Sequence, residues 1–112
     1  MGASAEGLQI LRQDGKWIPV TALPNQIVVN VGDMLERLTN KKLRSTIHRV
    51  VNPPQTLLGT ARYSIPFFMH PISQMRLDCL ASCVDENNPK LFQDITSGEF
   101  LNQRLQEIGL IE

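Results

Sequence analysis

The sequence predicts a mainly β protein, a sandwich or barrel, with one α-helix at its C-terminal end packed outside the sheet. Three observations predict it. Short runs of strand-type residues recur along most of the 112 residues. Turn residues (Gly, Pro, Asn) punctuate these runs. Helical spacing over more than a turn or two appears once, near the C-terminus.

Taken in order, residues 1–6 (MGASAE) are expected to be linker or expression-derived, because small residues follow Met1 without periodicity. GLQILRQDGKWIPV reads as two strands around Asp14-Gly15, a strong hairpin signal because glycine accepts positive φ. Trp17, Ile18 and Val20 are strand-type side chains. TALPN is a loop, and Ile27-Val28-Val29 reads as a buried strand broken by Gly32-Asp33. MLERLTN is open between a helical turn and a short strand. RSTIHRVV is a strand, with Arg44, Thr46, His48 and Val50 on one face and Ser45, Ile47, Arg49 and Val51 on the other. NPPQTLLGTA is a loop or a loosely paired hairpin end. RYSIPFFMHP is a strand again, with Arg62, Ser64 and Pro66 sharing a face; Pro66 marks a sheet edge or an irregular strand, since it cannot donate to a ladder. RLDCLASCV is strand-like or irregular, and DENNPKLFQD is a polar loop. Residues 96–109 are expected to form the helix: Phe100, Leu101, Leu105, Ile108 and Leu110 have helical spacing, Thr96 or Ser97 caps the start, with Glu99 three residues after Thr96 as in a capping box, and Gly109 is its stop. Its expected place is the outside of the sheet.

The chain is long enough for one small domain, read as a single segment over 1–112, and its 42% hydrophobic content suits a packed core. Eleven basic and eleven acidic residues balance. That balance offers no electrostatic reason for a nucleic-acid or membrane partner. No apolar run approaches the roughly 20 residues of a membrane span, and the first residues lack the apolar core of a signal peptide. Cys79 and Cys83 match no metal or redox spacing and are expected to pack in a reducing compartment, which places the protein in the cytoplasm.

Three residues stand out chemically. Arg62 and Ser64 put a guanidinium fork and a hydroxyl on one strand face, a pairing that suits a carboxylate. His48, on a separate strand, offers an imidazole nitrogen to a metal. The plainer reading of each residue alone is structural. Phe67 and Phe68 are expected in the core rather than in a pocket. Arg44 and Arg49 are expected to be solvated, and Asn30 to be an ordinary strand residue.

VVNVGDMLERLTN, RSTIHRVVNPP and RYSIPFF in series resemble the C-terminal half of the iron(II)/2-oxoglutarate-dependent dioxygenases, in particular the isopenicillin N synthase-like branch. The likeness runs from GLQIL to the final helix. The resemblance implies a double-stranded β-helix, or jelly-roll, fold with a C-terminal α-helix. It implies Fe(II), 2-oxoglutarate and O2 as metal and co-substrates, and a small molecule as substrate. His48 matches the family's distal metal ligand, and Arg62 and Ser64 match the Arg-x-Ser pair that binds the far carboxylate of 2-oxoglutarate.

The family's other two ligands, a His-x-Asp pair, have no counterpart in this chain. The histidines are His48 and His70, and Pro71 and Ile72 follow the second. Asp33 is better read as a turn residue than as a replacement ligand. The chain alone is therefore expected to hold no tight metal site and to be inactive. Unpaired strand edges are expected to drive a homo-oligomer. The rival reading is a non-catalytic jelly-roll module for binding or assembly.

Overall fold

A computed structural model describes residues 7–23, 25–52, 59 and 63–111. It divides into two compact units: residues 1–30 with 46–67, and residues 31–45 with 68–112.

The first unit carries a three-stranded antiparallel sheet of β1 (Leu8–Leu11), β2 (Trp17–Pro19) and β3 (His48–Val50), in the order β2-β1-β3. The Asp14-Gly15 turn joins β1 to β2 as the sequence predicts. Gly15 takes φ +81°, a left-handed conformation that suits glycine. The Asp14 carboxylate pairs with Arg12 and accepts from the Lys16 N–H at 3.2 Å, which closes the turn. Ile10 stands opposite Ile18 on one side and His48 on the other. Arg49 is exposed but tethered rather than simply solvated. Its guanidinium carbon lies 4.0 Å from the Trp17 ring centroid, and its Nε donates to Gln9 Oε1 at 3.0 Å.

The expected buried strand at Ile27–Val29 is not buried. Ile27 is 88% and Val29 86% exposed, and residues 26–30 join no ladder among the described residues. Phe67, expected in the core, is 85% exposed, and no strand is assigned over 63–67. The physical reason is shared. Apolar alternation marks a face that wants cover, and burial needs a second layer, which local sequence cannot supply.

The second unit makes its own core from Leu77, Cys83 and Phe100, with buried Thr39, Asn40 and Ser97. MLERLTN resolves as helix α1 (Asp33–Leu38), closed by Thr39, whose hydroxyl donates back to the Leu35 carbonyl at 2.8 Å. Asn40 then turns the chain at φ +47°. Its fully buried amide donates to the carbonyls of Cys83, Asn88 and Pro89 and accepts from the Leu91 N–H at 2.9 Å. One side chain thus satisfies four backbone groups of the 83–91 loop, where unpaired groups would be costly. RLDCLASCV is irregular, with a 3-10 turn at Ala81–Cys83.

Helix α2 (Ser97–Glu107) starts at the Thr96–Glu99 capping box. At its end, Gly109 at φ +72° donates to the Gln106 carbonyl, and the Leu110 N–H reaches Leu105, a Schellman close. Its N-terminus seats on residues 73–77: a Cβ on Gly98 would meet the Ser73 side chain at 3.0 Å. Phe68, in this unit, is exposed instead of packed.

Candidate functional site

β3 begins at His48, and its pairing with β1, reinforced by the Arg49 stack on Trp17, holds the histidine backbone in place. Alternation along β3 sends His48 and Arg49 to opposite faces. The imidazole is exposed, and its Nδ1 lies 3.1 Å from the Thr46 carbonyl oxygen and 3.3 Å from the Asn30 amide nitrogen. Nδ1 is therefore occupied within the chain, and Nε2 is the nitrogen left for a ligand bond. Ser64 is exposed and lies outside any helix or strand. Arg62 lies outside the described residues, so the Arg62–Ser64 pairing rests on the sequence.

The donor set fits iron(II) at one position, the imidazole of His48. Among the described residues, no group of three or more His, Cys, Asp or Glu side chains could hold a metal ion. Asp33 belongs to the other unit. It occupies the first turn of α1, makes no cap bond at Gly32, and pairs with Arg104 at 3.6 Å. That supports the reading against a ligand, although its partner is a side chain rather than turn amides. His70 is also in the second unit, beside Phe68 with ring centroids 6.0 Å apart. Cys79 and Cys83 are free thiols in its interior, half-buried and buried.

A cavity of about 310 Å³ in the second unit is lined by Arg37, Gln103 and residues 91–95. Its cation is already committed: Arg37 donates to the Gln93 carbonyl and stacks on Phe92 at 5.1 Å and Phe100 at 5.5 Å. The cavity contains neither His48 nor Ser64. Sequence reasoning missed the contact between Asn30 and His48, because the two are 18 residues apart and only strand placement joins them.

Residues 1–71 match the family model of the 2OG-Fe(II) oxygenase superfamily. Kihadalactone A synthase LFS of Citrus sinensis is 35% identical over 107 residues, which are 92% of this chain and 30% of that protein. A Caulobacter crescentus crystal structure assigned to the 2OG-Fe(II) oxygenase family is 51% identical, with a TM-score of 0.87 over 92% of this chain and 34% of its own. A full-length Neurospora crassa protein solved with alpha-KG and 5-formyluracil is 34% identical, with a TM-score of 0.79 over 91% of this chain and 33% of its own. The chain spans about a third of the length of the relatives it matches.

Proposed function

This chain belongs to the 2OG-Fe(II) oxygenase superfamily, and we propose that it works as the C-terminal part of a non-haem iron(II)/2-oxoglutarate-dependent oxygenase that oxidises a small molecule. The fold in this reading is a double-stranded β-helix, of which β1 to β3 are part. The observation that carries it is His48, an imidazole on a pinned strand with Nδ1 engaged inside the chain and Nε2 left over. His48 would hold the iron at one of three facial positions, and two ligands come from outside the described residues. The bound metal supplies the oxidising chemistry, with O2 and 2-oxoglutarate as co-substrates.

The chain's own residues bind and orient. Arg62 would hold the far carboxylate of 2-oxoglutarate by an ion pair, and the Ser64 hydroxyl would donate to the same carboxylate. Residues two apart would share a face if this segment pairs as a strand in the complete fold, which would bring the two groups to one ligand end. The Neurospora relative, solved with alpha-KG and 5-formyluracil, supports both the co-substrate and a small-molecule substrate.

In this reading the chain alone is inactive, its partners are neither nucleic acid nor membrane, and its compartment is the cytoplasm. The exposed residues Ile27, Val29 and Phe67 support self-association of the chain through its uncovered apolar segments. The second reading, a non-catalytic binding or assembly module, is favoured by the lack, among the described residues, of any group of three or more His, Cys, Asp or Glu side chains that could hold a metal ion.

Calorimetric titration of 2-oxoglutarate, with and without manganese(II) as an inert substitute for iron, tests the function. Binding should strengthen with the metal and weaken about ten- to hundredfold in Arg62→Ala, the scale of a lost charge-assisted hydrogen-bond pair. Identical titrations for wild type and Arg62→Ala would remove the 2-oxoglutarate clamp and leave the module reading.

A further inference from the structure

A strand histidine with a free ring can flip about its last torsion and exchange Nδ1 for a carbon. The ring of His48 is bracketed instead. The Thr46 carbonyl approaches Nδ1 at 3.1 Å from just before β3, and the Asn30 amide nitrogen lies 3.3 Å from the same Nδ1 on a separate segment. A carbonyl oxygen only accepts, so at this distance Nδ1 carries the ring proton and donates it. The opposite assignment lets the Asn30 amide nitrogen donate to Nδ1, but it sets the Nδ1 lone pair against the nearer Thr46 oxygen and puts the proton on Nε2. Half a turn of the Asn30 amide brings its oxygen to Nδ1 as a second acceptor, with no movement of the backbone.

We propose that Asn30 is a positioning residue for His48: with the Thr46 carbonyl it holds the imidazole as the Nδ1–H tautomer and keeps Nε2 as the nitrogen that binds metal. The inference rests on the reading of His48 as a ligand and adds the group that orients it. Thr46 is two residues before His48, directly ahead of β3, so it follows any local movement of that strand. Asn30 is 18 residues away, so its contact ties the ring to a different part of the unit. Orienting groups of this kind set both the tautomer and the direction of a ligand ring.

The test reads the ring directly. Long-range proton–nitrogen NMR of the nitrogen-15-labelled chain, in alkaline buffer where imidazole is neutral, distinguishes the two tautomers. His70, the other histidine, serves as the internal reference. His48 should be the Nδ1–H form in the wild type. Asn30→Ala should move it toward the Nε2–H form that free side chains prefer, and Asn30→Asp, which keeps an acceptor oxygen in place, should restore it. Asn30 is exposed, so these variants keep the fold, which the backbone spectrum checks.

Manganese(II) should broaden His48 before His70 in the wild type, and Asn30→Ala should need about ten- to hundredfold more metal for the same effect. An Nε2–H ring in the wild type, or a tautomer unmoved by Asn30→Ala, overturns the inference. Manganese that broadens both histidines alike, with the tautomers behaving as expected, overturns the ligand reading instead and still supports the hold of Asn30 on the ring.

Discussion

The unit that carries the candidate site has no buried side chain among its described residues, whereas the other unit has six: Thr39, Asn40, Leu77, Cys83, Ser97 and Phe100. The first is the more strand-like and the more regular in its alternation. The second is mostly loop, with two helices. Regular secondary structure and a core are therefore separate achievements in this molecule. A sheet satisfies its backbone with two neighbours per strand, but its apolar face stays wet until another layer covers it. A loop-rich unit closes on itself once buried polar groups such as Asn40 take up its backbone hydrogen bonds.

The largest expected effect separates the two units by substitution. Phe100 is buried against Leu77's unit and flanked by Arg37 and Arg104, so Phe100→Ala should cost about 3–5 kcal/mol in denaturant unfolding. Val29→Ser, in the first unit, should change stability by about 0.5 kcal/mol or less in dilute solution, because Val29 is already in water. The same variant should reduce the self-association seen by light scattering at high concentration. A wild-type chain that stays monomeric there, or a Val29→Ser cost like that of Phe100→Ala, would break the contrast.

Asn40→Ala comes next. It removes the amide that serves three carbonyls and one N–H, and leaves a residue with a Cβ but no local hydrogen bond at φ +47°. A loss of about 3 kcal/mol is expected, in line with about 1–3 kcal/mol for each buried group left unsatisfied. Hydrogen exchange should rise first at Leu91, whose N–H loses its acceptor. Unchanged exchange at Leu91 would show that the 83–91 loop is held by other means.

Local signals were legible in the sequence and non-local ones were not. Asp14-Gly15 and the Thr96–Glu99 box specify a turn and a helix start through contacts within three residues, and both appear where expected. MLERLTN was ambiguous because its helix depends on the close at Thr39 and on packing. Ile27–Val29 and Phe67 were misjudged because alternation reports which face is apolar and is silent on what covers it. For the site, alternation put Arg62 beside Ser64 and the family likeness singled out His48. Neither revealed Asn30, whose role depends on where two distant segments meet.

The smallest expected effect is a pH dependence confined to one end of α2. Glu99 lies below the ordinary carboxyl value of 4.5, chiefly because the Thr96 backbone N–H donates to it, at 2.8 Å, and then because the Thr96 hydroxyl does so. Desolvation opposes the shift in part. The folded state thus binds this proton more weakly than the unfolded chain does, so the stabilisation is complete above pH 4.5 and declines as pH falls through that value toward the lower folded one. Helical circular dichroism should fall over that acid window in the wild type. Thr96→Ala should cost about 1 kcal/mol at neutral pH, as cap substitutions do, and shrink the acid step without abolishing it, since the backbone donor remains. Glu99→Gln should abolish the contribution of this group. An acid step unaltered in Glu99→Gln would move the sensitivity to Asp94, held low by its hydrogen bond from Lys90, or to Asp14 in the first unit, held low by Arg12. The Asp14 outcome would place the acid-sensitive contact in the sheet unit and reverse this part of the contrast between the two.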